Sequence, residues 1–165
     1  MTEFLAKHGD AVSDVVYEVD DVNAVYAEAL ERGAVSVAEP KILSDDDGEV
    51  PWATIEAYGD VTHSFVSTGF YSGAFLPGYR AERIEGEGVG LLRIDHMVAN
   101  VGDGQMNELA SWYERIFGFH QFLSFDDKDI STKYSALRSK VMSNPGGGIK
   151  LPINEPADGL KRSQI

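Results

Sequence analysis

The residues able to do chemistry here are few. The chain has four histidines, 27 acidic side chains and no cysteine, so thiolate zinc sites, disulfides and a cysteine nucleophile are excluded, and any metal must be held by His, Asp or Glu. His96 is the most informative candidate. It lies in Leu92-x-Ile94-x-His96-x-Val98, where strand alternation would set it on one face with three aliphatic residues, away from Arg93 and Asp95. An imidazole on such a face is either a hydrogen-bonded core residue or a metal ligand, and the pattern leaves both open. His8 sits near the start of the chain, His63 before a strand, and His120 after a helix C-terminus, where its charge would suit the dipole. Asp126-Asp127 beside Lys128 reads as a solvated turn and not as an acid/base pair. Asp45-Asp46-Asp47-Gly48 lacks the alternating ligands of a calcium loop and reads as a hairpin turn. Gly86-Glu87-Gly88-Val89-Gly90 precedes a strand, whereas a phosphate loop would open a helix.

The elements that must position these residues occur in a repeated order. Val15 to Val19 is β-branched and aromatic and stops at Asp20-Asp21, which can cap a helix. Val22, Val25, Tyr26, Ala29 and Leu30 then form one apolar helical stripe ending near Gly33. Three β-prone stretches follow, Val35 to Leu43, Pro51 to Tyr58 and Thr62 to Thr68. The second half repeats this: a strand over Leu91 to Val101, a helical stripe of Met106, Leu109, Ala110, Tyr113, Ile116 and Phe117 closed by Gly118, then strands over His120 to Phe125, Thr132 to Met142 and Ile149 to Ile153. The aromatics Trp112, Tyr113, Phe117, Phe119 and Phe122 follow this spacing and read as core. Superposed on their first strands, the copies set Val15 near His96. The expected fold class is therefore α+β, two βαβββ modules with mostly antiparallel, curved sheets, joined by a Gly-rich linker over Gly69 to Gly90.

With 165 residues, 43% hydrophobic and 25% charged, the chain can bury a sizeable core. Its net charge of −13 argues against nucleic acid and against an anionic membrane surface as partners. No stretch has the composition of a bilayer span, and Met1 to Lys7 is too short for a secretory leader, so the cytoplasm is the expected location.

The runs Ile94-Asp95-His96-Met97-Val98, Trp112-Tyr113-Glu114, Phe117-Gly118-Phe119-His120, Tyr134-Ser135-Ala136-Leu137-Arg138-Ser139 and Pro152-Ile153-Asn154-Glu155-Pro156 resemble the 4-hydroxyphenylpyruvate dioxygenase family of the vicinal oxygen chelate superfamily. Tyr58-Gly59-Asp60-x-Thr62-His63, Phe75-Leu76-Pro77-Gly78-Tyr79 and the closing Lys161-Arg162-Ser163-Gln164-Ile165 continue the likeness.

The resemblance implies a non-heme Fe(II) dioxygenase that converts the 2-oxo acid 4-hydroxyphenylpyruvate and O2 to homogentisate and CO2 in tyrosine catabolism. Such a family holds iron with two histidines and a glutamate. His96 matches the first ligand, and the other two would lie in a later module, beyond Ile165. Ser139, Asn154 and Gln164 match polar residues of the family's substrate pocket. The resemblance further implies that residues 1–68 are the second module of an N-terminal domain, 69–90 a linker and 91–165 the first module of a catalytic domain. The chain is thus expected to be an inactive portion of a longer, homo-oligomeric enzyme. The alternatives are the related 4-hydroxymandelate synthase, which hydroxylates the benzylic carbon, and a non-catalytic βαβββ binding module.

Overall fold

Alternating strands flanked by one amphipathic stripe can bury their apolar faces only by laying the helix on the sheet, and the chain does this twice. The computed structural model describes residues 2–82, 86, 88–125 and 136–157. It divides into two compact units, Met1–Glu87 and Gly88–Ile165. Gln164 and the Asp126-Asp127 pair lie outside the described residues.

The first unit contains α1 (Thr2–His8), β1 (Asp14–Glu18), α2 (Val22–Glu31), β2 (Ser36–Asp45), β3 (Gly48–Tyr58) and β4 (Val61–Val66). Its sheet has the order β1-β4-β3-β2; β1 runs parallel to β4, and the other pairings are antiparallel. Asp21 caps α2 by accepting a bond from the Ala24 N–H at 3.1 Å. Val22, Tyr26 and Ala29 face the core with Val15, Ile55 and Phe65. Each fully buried large side chain contributes roughly 1.5–3 kcal/mol. The short α1, which no periodicity announced, is tied down where Lys7 and His8 meet Asp60 in the β3–β4 turn. The segment after β4 is more than a spacer: the Asp45 carboxylate accepts bonds from the Tyr71 hydroxyl at 2.9 Å and the Gly78 N–H at 3.0 Å.

The second unit repeats the topology with β5 (Ala99–Asn100), α3 (Met106–Phe117), β6 (His120–Phe125), β7 (Ala136–Ser143) and β8 (Lys150–Ala157). Its order is β5-β8-β7-β6, with β5 parallel to β8. Met106, Leu109, Ala110, Tyr113 and Ile116 are buried along α3. The helix stops at Gly118, whose φ of 64° is left-handed, with Gly118 N–H bonded to Glu114 O and Phe119 N–H to Tyr113 O. Phe119 and Tyr113 are core as expected, whereas Phe122 is exposed, with the Lys150 ammonium 5.6 Å from its ring centre.

One expected strand is largely absent. Of Leu91 to Val101, only Ala99 and Asn100 pair, opposite Ile153 and Asn154, and Leu92 and Ile94 are 95% and 80% exposed. Extending that register puts His96 opposite Lys150, where β8 begins. Alternation marks a side chain's face, but a strand also needs a neighbour to take its N–H and C=O groups.

Candidate functional site

Alternation along β5, β8 and β7 separates two faces of the second sheet. Ala99, Ile153, Leu151 and Met142 are buried on the face carrying α3. The opposite face presents Asn100, Asn154 and Ser139, which the pairing register aligns in one row, Asn100 opposite Asn154 and Asn154 opposite Ser139. Two of the three expected pocket residues thus stand side by side on neighbouring strands. Ser139 is 4% exposed, Asn154 is half-buried and Asn100 exposed.

His96 precedes this row by four residues and is half-exposed, so it does not lie on a buried aliphatic face. Its Nδ1 is 2.8 Å from Asp95 Oδ2. That hydrogen bond holds the Asp95 carboxyl below its ordinary range. The contact ties down Nδ1 and leaves Nε2 to meet a ligand, the arrangement that a carboxylate gives a metal-bound imidazole. One imidazole is not a metal site, however. Among the described residues no group of three His, Asp or Glu side chains could hold an ion, so they do not by themselves fit an iron centre.

Glu155 is the functional-region residue that the sequence pattern did not single out. It follows Asn154 in β8, points to the helix face and is 5% exposed. Its carboxylate accepts a bond from the Met106 N–H at 3.1 Å and lies 2.9 Å from Arg138 Nε. Arg138 also reaches Asp103 at 2.7 Å. The start of α3 is thereby pinned to β7 and β8, fixing the two strands whose other face carries Ser139 and Asn154. The signal available was alternation itself, since a charged residue directly after Ile153-Asn154 must share the face of Ile153.

The remaining histidines separate clearly. His63 lies inside β4, not before a strand, and is fully buried. Its ring meets Tyr17 edge-on at 5.2 Å. Burial pushes its pKa down to about 4, with the nearby Asp14 opposing the shift. His8 contacts Asp60 at 2.7 Å, and His120 is exposed at the start of β6.

Registers also correct the superposition of the two units. Val19 N–H bonds Val66 O, and Val101 N–H bonds Asn154 O; Glu18 pairs with Val66, and Asn100 with Asn154. Counting back four residues from Glu18 and Asn100, the counterpart of His96 is Asp14, not Val15. The Asp14 carboxylate accepts bonds from Thr62 at 2.9 Å and Ser64 at 2.7 Å, and Ser64 is 2.8 Å from Thr54. This face of the first unit also borders a cleft of about 390 Å³ lined by Val16, Glu18, Val66, Thr68, Tyr71 and residues 73–76.

Comparison with known proteins agrees with this architecture. Residues 93–164 match the model of the Glyoxalase/Bleomycin resistance protein/Dioxygenase superfamily. The chain is 51% identical over 168 residues to a 4-hydroxyphenylpyruvate dioxygenase of Aspergillus fumigatus, covering 98% of this chain and 42% of that protein. It is 45% identical over 172 residues to that of Danio rerio, covering 100% and 43%. Among solved structures, a triple mutant of the 4-hydroxymandelate synthase from Streptomyces coelicolor superposes with a TM-score of 0.74 at 25% identity, covering 94% of this chain and 44% of that one. A xylose isomerase-like TIM barrel/4-hydroxyphenylpyruvate dioxygenase fusion protein shares the fold at a TM-score of 0.61 and 19% identity, over 94% of this chain and 23% of that one. The chain therefore spans less than half the length of the curated relatives it matches. No helix among the described residues is long and apolar enough to cross a membrane. With the repeated βαβββ order, the chain is thus similar over nearly its whole length to a part of the 4-hydroxyphenylpyruvate dioxygenases, and its second unit matches the glyoxalase/dioxygenase superfamily.

Proposed function

We propose that the chain supplies one iron ligand and part of the substrate pocket of a non-heme Fe(II) enzyme that converts 4-hydroxyphenylpyruvate and O2 to homogentisate and CO2, a step of tyrosine catabolism. The observation that carries this reading is 43–51% identity to 4-hydroxyphenylpyruvate dioxygenases across nearly the whole chain. In the same reading, residues 1–68 form the second module of an N-terminal domain, 69–90 the linker and 91–165 the first module of a catalytic domain.

His96 contributes its Nε2 as one of three ligands, with Asp95 holding the tautomer from the other ring nitrogen. The second histidine and the glutamate come from outside residues 1–165. Bound Fe(II) supplies the redox chemistry with O2. The protein's own work is placement. Ser139 offers one hydroxyl donor, and Asn154 a donor and an acceptor, to a substrate lying along their face; Gln164 adds a second amide. A second reading, 4-hydroxymandelate synthase, is favoured by the superposition on that enzyme.

The test joins this chain to the remaining C-terminal portion of the Aspergillus fumigatus relative and supplies Fe(II), 4-hydroxyphenylpyruvate and O2. Homogentisate is the expected product, and 4-hydroxymandelate would decide for the second reading. A folded, iron-loaded joined chain that forms neither would overturn both. Stoichiometric iron or turnover in the unextended chain would overturn the assignment of the other ligands elsewhere.

A further inference from the structure

We infer that Asn100 is a further substrate-binding residue, receiving the hydroxyl at the far end of an aryl 2-oxo acid; the inference rests on the dioxygenase reading above. Three features of the second unit carry it.

Asn100 first shares a row with the two pocket residues. It pairs with Asn154, which pairs with Ser139, and strands about 4.8 Å apart make this a polar row of about 10 Å. Alternation then sets its side chain on the pocket face, because Ala99 is 1% exposed towards α3 while Asn100 is open. The bond from Val101 N–H to Asn154 O at 2.9 Å holds the backbone in register there. Finally, among the described residues no hydrogen bond occupies the side-chain amide of either Asn100 or Asn154.

The fold does not require amides at this rung. The same rung of the first unit carries Glu18, Val66 and Trp52, and the Glu18 carboxylate is engaged by Thr68 at 2.7 Å and 2.9 Å. A row of neutral donors and acceptors in the second unit therefore reflects what it meets. No lysine or arginine stands on the row, so it suits an uncharged hydroxyl better than a carboxylate. Four residues separate Asn100 from His96, at most about 14 Å of chain. A substrate whose 2-oxo acid end sits beside His96 presents its opposite end to this row.

The test uses the chain as it stands. Side-chain amide signals are followed by NMR during titration with 4-hydroxyphenylpyruvate and with phenylpyruvate, which lacks only the ring hydroxyl. The Asn100 and Asn154 amides are expected to move together with the hydroxylated ligand. Asn100→Ala should weaken its binding about three- to tenfold, as loss of one neutral hydrogen bond does, and leave phenylpyruvate unaffected. Movement of Asn154 without Asn100, or equal weakening for both ligands, would overturn the inference while leaving the pocket reading intact. A titration that moves neither amide would also overturn it, and homogentisate formation by the joined chain would then report separately on the dioxygenase reading.

Discussion

Where the second unit presents Asn100, Asn154 and Ser139, the first presents Glu18, Val66 and Trp52, with the Lys41 ammonium 4.5 Å from the Trp52 ring centre. The strand order and the parallel and antiparallel pairings are the same in both. What the two share is the other face: Val15, Ile55 and Phe65 in one, Ala99, Leu151, Met142 and Ile153 in the other, all buried. One face of this module is held by the need to cover a helix. The opposite face is free to differ, and it carries the bonded Glu18 carboxylate with Val66 and Trp52 in one unit and a row of neutral polar side chains in the other.

The sharpest way to break this comparison exchanges roles between counterparts. In the joined chain, His96→Ala should abolish turnover and lower iron content, whereas Asp14→Asn, at the matching position, should retain both. Asn154→Ala should cost about 1.5–3 kcal/mol, or ten- to a hundredfold in rate or affinity, by leaving a polarised group without its partner. Iron quantitation and steady-state kinetics on the three variants read this out. Activity that survives His96→Ala but not Asp14→Asn would move the site to the first unit.

The stripe Met106, Leu109, Ala110, Tyr113 and Ile116 was legible in the sequence because a helix that covers a sheet must repeat its apolar residues on one side, and Gly118 marked its end for the steric reason that only glycine adopts left-handed backbone freely. Ser139 and Asn154 were singled out through family motifs, and what the structure adds is their shared row, which follows from strand register. The segment before Ala99 misled because Leu92, Ile94 and Val98 alternate like a strand, whereas pairing depends on residues distant in sequence. His63 and Glu155 were misread or missed for a related reason: a polar residue within an apolar run is buried or exposed according to partners such as Tyr17 and Arg138, which no local window contains.

His63 provides a second, pH-dependent contrast. Its folded pKa of about 4 lies below the ordinary value of 6.5, so between those values the unfolded chain binds a proton that the folded unit refuses. This contribution is complete above pH 6.5 and is lost as pH falls towards 4. The first unit should lose about 2 kcal/mol between pH 7 and pH 5. The second unit has no buried histidine among its described residues, so its unfolding serves as the reference for the first. Each unit contains one tryptophan, Trp52 or Trp112, so urea unfolding of Trp112→Phe and Trp52→Phe chains follows the units separately. His63→Leu should flatten the dependence in the first unit, and a slope that persists would assign it to another group.

Glu155→Gln should act only on the second unit. It keeps an acceptor for the Met106 N–H but removes the charge facing Arg138, whose side chain is 41% exposed. Solvent screening reduces the expected cost to about 1–2 kcal/mol, read as a lower urea midpoint for the Trp112 signal with the Trp52 signal unmoved. A shift in both signals would mean that the units do not unfold independently.

The smallest expected difference lies at the helix starts. In α2 the Asp21 carboxylate takes the Ala24 N–H, a local cap whose removal in Asp21→Ala should cost about 1 kcal/mol. In α3 Gln105 makes no side-chain cap bond; its Oε1 instead accepts from the exposed Gly102 N–H at 3.0 Å. The first N–H of α3 is already satisfied from across the unit by Glu155, so a local cap is redundant there. Gln105→Ala should therefore cost no more than about 0.5 kcal/mol. Gln105→Asp, made in the parent and in a Glu155→Ala background that removes the acceptor of the Met106 N–H, sharpens the point. If the long-range carboxylate substitutes for the missing cap, placing Asp at position 105 should recover more stability in that background than in the parent. Equal recovery in both would show that α3 starts where it does without help from Glu155.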